Sequence, residues 1–243
     1  MRSRRVAQDD VRENRLVDLF NLARPPNRSR HGTDAILGLD AQEIEFELKS
    51  VTTGDASVST VRDLGPDHIA KWRGKHWIIG IFEEQDLLHC RYGSPEAMAP
   101  WINRIWDYIR VDFEMASLVP DLITSEIMFK IIGERDLYTL MDARRLHKNQ
   151  YRIIEYRARM DRPDGYSQPR MLEIFRDRAR YVMRRGATLN NPHIPSAFFA
   201  EWPIIEKDHA SQLRELVRNW LASVPPQPPT PSGTRRAELP SSR

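Results

Sequence analysis

The sequence predicts an α/β fold, in which a mixed central β-sheet is flanked by helices and the C-terminal half is largely helical. Short apolar or alternating runs in the N-terminal part are typical of strands, and helical apolar periodicity dominates from Ser94 onward. With 243 residues, the chain is long enough to bury a sizeable core.

The first elements are a helix and a hairpin. Apolar residues at helical spacing predict a helix over 11–23, with Val11, Leu16, Leu19 and Phe20 along one face. The dipeptide Pro25-Pro26 is expected to end it. Two strands follow, near 33–37 and at 43–51, and the turn signal at 38–40 indicates that they pair.

The next stretch alternates loop, helix and strand. A loop rich in Gly, Ser and Thr is expected at 52–60, then a short helix at 66–72, a strongly apolar strand at 76–82 and a partner strand at 87–92. Ser94-Pro95 has the pattern of an N-cap followed by proline at the first helical position. The rest is predicted to be mostly helical as far as Ala222.

The composition sets limits on domains, compartment and chemistry. We expect one domain over 1–223 and a disordered tail over 224–243, because the tail is rich in proline and poor in apolar residues. No apolar run approaches the ~20 residues that a membrane span needs. The basic N-terminus is not followed by the apolar stretch of a signal peptide. A cytoplasmic protein is therefore expected. The single cysteine, Cys90, excludes an internal disulfide and cysteine-rich zinc sites.

Charge is unevenly distributed along the chain. Residues 83–142 contain twelve acidic and five basic residues, whereas residues 144–186 contain thirteen basic and five acidic ones. Concentrated basic charge attracts a phosphate backbone, although a solvated helix face accounts for the same pattern. Whether the acidic segment forms a subunit interface stays open.

One constellation of residues points to chemistry. Glu47 and Lys49 share a face of the second strand because side chains alternate along a strand, and hairpin pairing brings Asp34 to the same side. Two carboxylates suit Mg²⁺, which takes one or two carboxylates together with water and phosphate oxygens. The lysine then orients an attacking water or helps to deprotonate it. The structural alternative is a surface ion pair on a half-exposed strand.

These residues resemble the PD-(D/E)xK nuclease superfamily, in which an acidic residue precedes an acidic-x-lysine triplet on the next strand. Here Asp34 is followed thirteen residues later by Glu47-Leu48-Lys49, and Thr33 replaces the proline of the motif. The segments that follow, 58–63, 68–73 and 76–80, look like those of a group of type II restriction endonucleases. The resemblance implies a restriction-endonuclease-like core.

The resemblance also implies the roles of the site residues. Asp34 and Glu47 would hold Mg²⁺, the carbonyl of Leu48 would complete the shell, and Lys49 would be catalytic. Glu13 on the first helix is a candidate for a supplementary metal contact by analogy with related nucleases, and Asp18 is a second one.

The implied function is that of a type II site-specific restriction endonuclease, which hydrolyses phosphodiester bonds in double-stranded DNA and leaves 5′-phosphate ends. A homodimer on a palindromic site would supply one active site for each strand. A companion DNA methyltransferase acting on the same site would protect the host DNA, and no membrane partner is expected.

Hydroxyl and basic side chains near the motif are candidates for DNA contact, because they hydrogen-bond both phosphates and base edges. In the loop after the catalytic strand they are Ser57, Ser59, Thr60 and Arg62. Elsewhere they are Lys71 and Arg73, together with Arg28 and Arg30 before the first strand. The role of the turn at 190–195 is left open.

Two other functions fit the sequence. The first is a repair or recombination nuclease of the same superfamily that recognises DNA structure rather than DNA sequence. The second is a non-catalytic DNA-binding protein, which would bind in a salt-sensitive manner without a metal requirement.

Overall fold

The computed structural model describes residues 2–25 and 32–224. The helices are α1 (Arg2–Leu19), α2 (Pro66–Trp72), α3 (Pro95–Leu118), α4 (Ser125–Ile132), α5 (Leu140–His147), α6 (Ile153–Ala158), α7 (Gln168–Ala187) and α8 (His209–Ser223). The strands are β1 (Ala35–Leu39), β2 (Gln42–Thr52), β3 (Ser57–Ser59), β4 (His76–Glu83), β5 (Asp86–Gly93), β6 (His193–Pro195) and β7 (Ile204–Ile205).

The main sheet has five strands in the order β1-β2-β4-β5-β7. Strand β2 is antiparallel to β1 and parallel to β4, with Phe46 opposite His76, and the β4–β5 and β5–β7 pairs are antiparallel. The sheet is therefore mixed and flanked by helices, which confirms the predicted α/β class.

Helices cover both faces of the main sheet. On one face, Leu16 and Phe20 of α1 and Leu213 and Val217 of α8 pack against buried strand residues such as Phe46. On the other face, α2 and α3 contribute to a second core, whose members include Val51, Trp72, Trp77, Ile79, Trp101 and Ile102. Because strand residues alternate, Glu47 and Lys49 lie on the same side of β2 as Val51, toward α2.

Helix α1 differs from its predicted bounds. It begins at Arg2 and ends at Leu19, before the prolines that were expected to stop it. Asn21 adopts a left-handed conformation, with φ of 50°. The backbone amide of Asn21 donates to the backbone carbonyl of Asp18, and the backbone amide of Leu22 donates to the backbone carbonyl of Val17. This is the Schellman pattern of a helix end. Val11, expected on the apolar face, is exposed.

The predicted hairpin is present, with its turn two residues later than expected. Leu39 pairs with Gln42, so Asp40 and Ala41 form a two-residue loop, and both have positive φ. Leu39 is buried in the core, and this burial holds it in the strand. Gly38, predicted to begin the turn, lies within β1.

The stretch predicted as a loop at 52–60 contains a strand. Ser57–Ser59 pairs antiparallel with His193–Pro195 to form a separate two-stranded sheet. The expectation of an unstructured loop was wrong because the partner strand lies far away in the sequence. The same pairing gives residues 193–195 a structural role that the sequence left open.

The C-terminal half is largely helical, as predicted, and its helices α4–α7 share a third core. This core contains Met128, Tyr138, Tyr156, Tyr166 and Ile174. The expected division into a domain over 1–223 and a tail stays a prediction, because residues 225–243 lie outside the described part. Among the helices of residues 2–25 and 32–224, none is long and apolar enough to cross a membrane.

Candidate active site

Asp34 lies immediately before β1 and is held by the neighbouring strand. The residue is 5% exposed, and the backbone amide of Leu48 donates to its Oδ2 atom at 3.0 Å. The antiparallel register sets Ala35 opposite Phe46 and so brings Asp34 beside the acidic triplet. Pairing of β1 with β2 thus brings the first acidic residue to the site.

Glu47 and Lys49 form a close pair on β2, as their spacing predicts. The Lys49 Nζ atom donates to Glu47 Oε1 at 2.9 Å and to the carbonyl of Leu48 at 3.1 Å. It also lies 3.8 Å from Asp34 Oδ2. The two carboxylates and the ammonium therefore converge at one point.

A second lysine enters the same site from α2. The Lys71 Nζ atom lies 2.8 Å from Glu47 Oε2 and 3.8 Å from Asp34 Oδ1. We expected Lys71 to face the DNA backbone, whereas the structure places its ammonium against both carboxylates. The reason is the orientation of α2, whose Ile69 and Trp72 are buried in the sheet core.

Burial and charge act in opposite directions on these groups. Burial disfavours the charged form of Glu47, but attraction by Lys49 and Lys71 outweighs it and lowers the pKa of Glu47 to about 2. Burial likewise disfavours a charged Lys49, yet the carboxylates of Glu47 and Asp34 raise its pKa above the usual value. Both residues are therefore ionised at neutral pH.

Residues 6–115 match the family model described as Restriction endonuclease PvuII. This part of the chain, called the PvuII-family segment below, is similar to the PvuII restriction endonuclease family. That family is one of type II restriction endonucleases, which are nucleases that act on DNA. No curated protein matches the chain.

The PvuII-family segment runs from α1 into α3 and contains Asp34, Glu47, Lys49 and Lys71. The helical core of α4–α7, the strands β6 and β7, and α8 lie beyond it. Nevertheless β6 pairs with β3, and β7 pairs with β5 at the edge of the main sheet. The later part of the chain therefore completes sheets that the PvuII-family segment begins.

Other predicted metal contacts take different positions around this site. Glu13 of α1 is partly buried and lies near enough to Lys49 to contribute to the raised pKa of that lysine. Asp18, the second candidate on this helix, is exposed. The Leu48 carbonyl accepts from Lys49. Across residues 10–25 and 32–224, no three or more His, Cys, Asp or Glu side chains gather as a metal cluster.

The candidate DNA contacts after β2 lie on and around β3. Ser57 and Ser59 belong to β3, opposite Pro195 and His193, and Ser57 Oγ lies 3.4 Å from His193 Nδ1. The Thr60 hydroxyl donates to the carbonyl of Pro192 at 2.6 Å. The Thr60 hydroxyl therefore ties this segment to the residue just before β6.

The remaining candidates are basic residues. Arg62 is exposed in the loop after β3, and Arg73 is exposed at the end of α2, where it lines a shallow cleft with the first residues of α3. Arg28 and Arg30 lie outside the described residues. The geometry thus leaves Arg62 and Arg73 facing solvent, where a phosphate can reach them.

Sequence reasoning did not identify Lys75 as part of the site. Its ammonium is buried, donates to the Thr33 hydroxyl at 2.6 Å and lies 3.2 Å from Glu45 Oε2. Thr33 occupies the position of the motif's proline, which has no side-chain acceptor. A lysine just before an apolar strand carries no pattern that would reveal such a contact.

Proposed function

We propose that the protein is a Mg²⁺-dependent type II restriction endonuclease. It would recognise a specific site in double-stranded DNA and hydrolyse one phosphodiester in each strand, leaving 5′-phosphate ends. The observation that carries this proposal is the convergence of Asp34, Glu47 and Lys49 within a segment of the PvuII restriction endonuclease family.

The donor set fits a magnesium ion. Glu47 Oε2 is buried and accepts no hydrogen bond of acceptable geometry from the described residues, and it already attracts one cation, the Lys71 ammonium at 2.8 Å. Asp34 and Glu47 would hold the ion, with the Leu48 carbonyl as a third oxygen donor. When bound, Mg²⁺ supplies positive charge beside the scissile phosphate and the leaving oxygen.

The side chains of the chain have separate roles in this proposal. Lys49 lies against both carboxylates, which favours a role in which its side chain orients the attacking water or helps to deprotonate it. The Leu48 amide fixes the Asp34 carboxylate. Water attacks phosphorus and the bond to the 3′ oxygen breaks, which leaves a 3′-hydroxyl and a 5′-phosphate.

Recognition of DNA would involve the surface around β3. Ser57, Ser59 and Thr60 offer hydroxyl groups, and Arg62 offers a guanidinium that suits a phosphate or a guanine edge. Arg73 and Arg30 would contact the backbone, as would the basic stretch at 144–186. A homodimer would present two sites to a palindrome, and a methyltransferase of the same specificity would protect host DNA.

The test is digestion of plasmid DNA by the purified protein with Mg²⁺. We expect discrete fragments whose 5′-phosphate ends can be ligated, and no cleavage after chelation of the metal. Lys49→Met should abolish cleavage, whereas Lys130→Met, at an exposed lysine on α4, should leave it unchanged.

Three results would contradict the proposal. Wild-type protein that does not cut, or Lys49→Met that cuts as well as wild type, would remove the catalytic role. Cleavage only at branched or nicked DNA would favour a repair nuclease instead of a site-specific enzyme.

A further inference from the structure

Two lysines contact the same pair of carboxylates from different sides. Lys49 lies against Glu47 Oε1 and Asp34 Oδ2, whereas Lys71 lies against Glu47 Oε2 and Asp34 Oδ1. Each ammonium thus bridges one oxygen of each carboxylate. Their side chains are 15% and 16% exposed, so exposure does not distinguish them.

The two lysines differ in how they are anchored. Lys49 projects from β2 itself and donates two hydrogen bonds, to Glu47 Oε1 and to the Leu48 carbonyl. Lys71 projects from α2, and its contact with Glu47 Oε2 at 2.8 Å lacks the geometry of a hydrogen bond. Lys71 therefore has fewer well-formed hydrogen bonds in the site than Lys49 and is the more easily displaced of the two.

These contacts set two positive charges against the two carboxylates of the site. Two carboxylates face two ammonium groups, so a divalent cation that approaches Glu47 Oε2 meets a positive charge already in place. Like charges in a partly buried site repel strongly because water screens them poorly. The cation and the Lys71 ammonium cannot both stay close to the same oxygen atom.

We propose that Lys71 competes with the divalent cation for Glu47 Oε2 and Asp34 Oδ1, and so sets the cation concentration that the nuclease needs. The inference rests on the proposed magnesium site and adds that Lys71 weakens the binding of the cation there. Lys71 acts through the carboxylates as a positioning residue, since it holds Glu47 and Asp34 in place until the cation takes over.

The test is calorimetric titration with Ca²⁺, which binds carboxylate oxygens and reports affinity without any cleavage. We expect Lys71→Met to bind Ca²⁺ about tenfold more tightly than wild type, in line with the ~10–100-fold effects of groups that contact metal ligands. Lys71→Arg keeps the charge, so its affinity for Ca²⁺ should lie within about threefold of that of wild type. The affinity of Lys130→Met for Ca²⁺ should equal that of wild type. Circular dichroism establishes that each variant is folded.

A second variant keeps the test decisive if Lys71→Met does not fold. Lys71→Gln removes the charge but keeps a polar side chain, and it should also bind Ca²⁺ more tightly than wild type. The concentration of Mg²⁺ at half-maximal cleavage should fall in the same two variants. Unchanged or weaker Ca²⁺ binding by folded Lys71→Met or Lys71→Gln would overturn the competition.

The controls separate this inference from the proposed function. If wild type binds Ca²⁺ and Glu47→Gln does not, the metal site exists whatever Lys71 does. If neither wild type nor the Lys71 variants bind Ca²⁺, both the site and the competition fail.

Discussion

The backbone amide of Leu48 donates to the Oδ2 atom of Asp34 at 3.0 Å, between residues fourteen positions apart. This bond joins the segment before β1 to the strand that bears Glu47 and Lys49. This hydrogen bond therefore helps to set the distance between the two carboxylates that are proposed to hold the metal.

Substitutions of Asp34 should separate its structural role from its chemical role. Asp34→Asn keeps an acceptor for the Leu48 amide but loses the charge, so we expect a folded protein with cleavage reduced at least about 100-fold. Asp34→Ala leaves the buried amide unpaired and should also lower the free energy of unfolding by about 1–3 kcal/mol. Urea denaturation and plasmid cleavage measure the two effects, and equal stability of the two variants would contradict this account.

The bond between Lys75 and Thr33 should be measurable by a double-mutant cycle. Lys75→Met and Thr33→Val each remove one partner of the bond of 2.6 Å, and their effects on stability should couple by about 1 kcal/mol or more. Thr33→Ser keeps the hydroxyl, so its free energy of unfolding should stay close to that of wild type. Additive losses would show that the two side chains do not act together.

Stability should depend on pH through His76. Burial lowers the pKa of His76 to about 4, and Glu96 opposes this shift only in part. An unfolded histidine binds a proton below about pH 6.5, whereas the folded one stays neutral down to about pH 4, so acid favours unfolding within this window. The loss should reach about 3 kcal/mol at most.

His76→Asn tests this expectation, since asparagine can still pair with the Tyr92 hydroxyl that contacts His76 Nδ1 at 2.7 Å. Denaturation of both proteins from pH 7 to pH 4 should show a smaller loss for the variant. A difference between them that is constant over this range would assign the acid sensitivity to other groups.

Arg62 should contribute to DNA binding through charge. With Ca²⁺ in place of Mg²⁺, Arg62→Ala should weaken DNA binding. If Arg62 contacts a phosphate, the slope of the logarithm of the DNA-binding constant against the logarithm of the salt concentration should become less steep by about one. Arg218→Ala is the matched control, because Arg218 lies on α8 and pairs with Asp40 at the hairpin tip. Equal affinities of wild type and Arg62→Ala would exclude Arg62 from the DNA surface.

The sequence predicts the parts of the site that depend on short-range order. Alternation along β2 places Glu47 and Lys49 on one face, and a hairpin brings Asp34 beside them. The bounds of α1 were harder to predict, because a left-handed Asn21 rather than a proline ends that helix. Propensity alone does not show which asparagine will adopt that conformation.

The same reasoning from local sequence patterns could not predict long-range contacts. Lys71 joins the site because α2 packs its Trp72 against the sheet, which is a property of the folded core rather than of the local pattern. Likewise, Ser57 and His193 meet although 136 positions separate them. Neither contact leaves a periodic signal in the residues around it.

The pairing of β3 with β6 also bears on how the enzyme is synthesised. A ribosome completes the acidic triplet well before it reaches His193, so a nascent or prematurely terminated chain carries Glu47 and Lys49 without the strand that holds Ser57–Ser59. We therefore expect incomplete translation products to engage DNA poorly. Chains that end before β6 should then cut DNA less efficiently than chains that contain it.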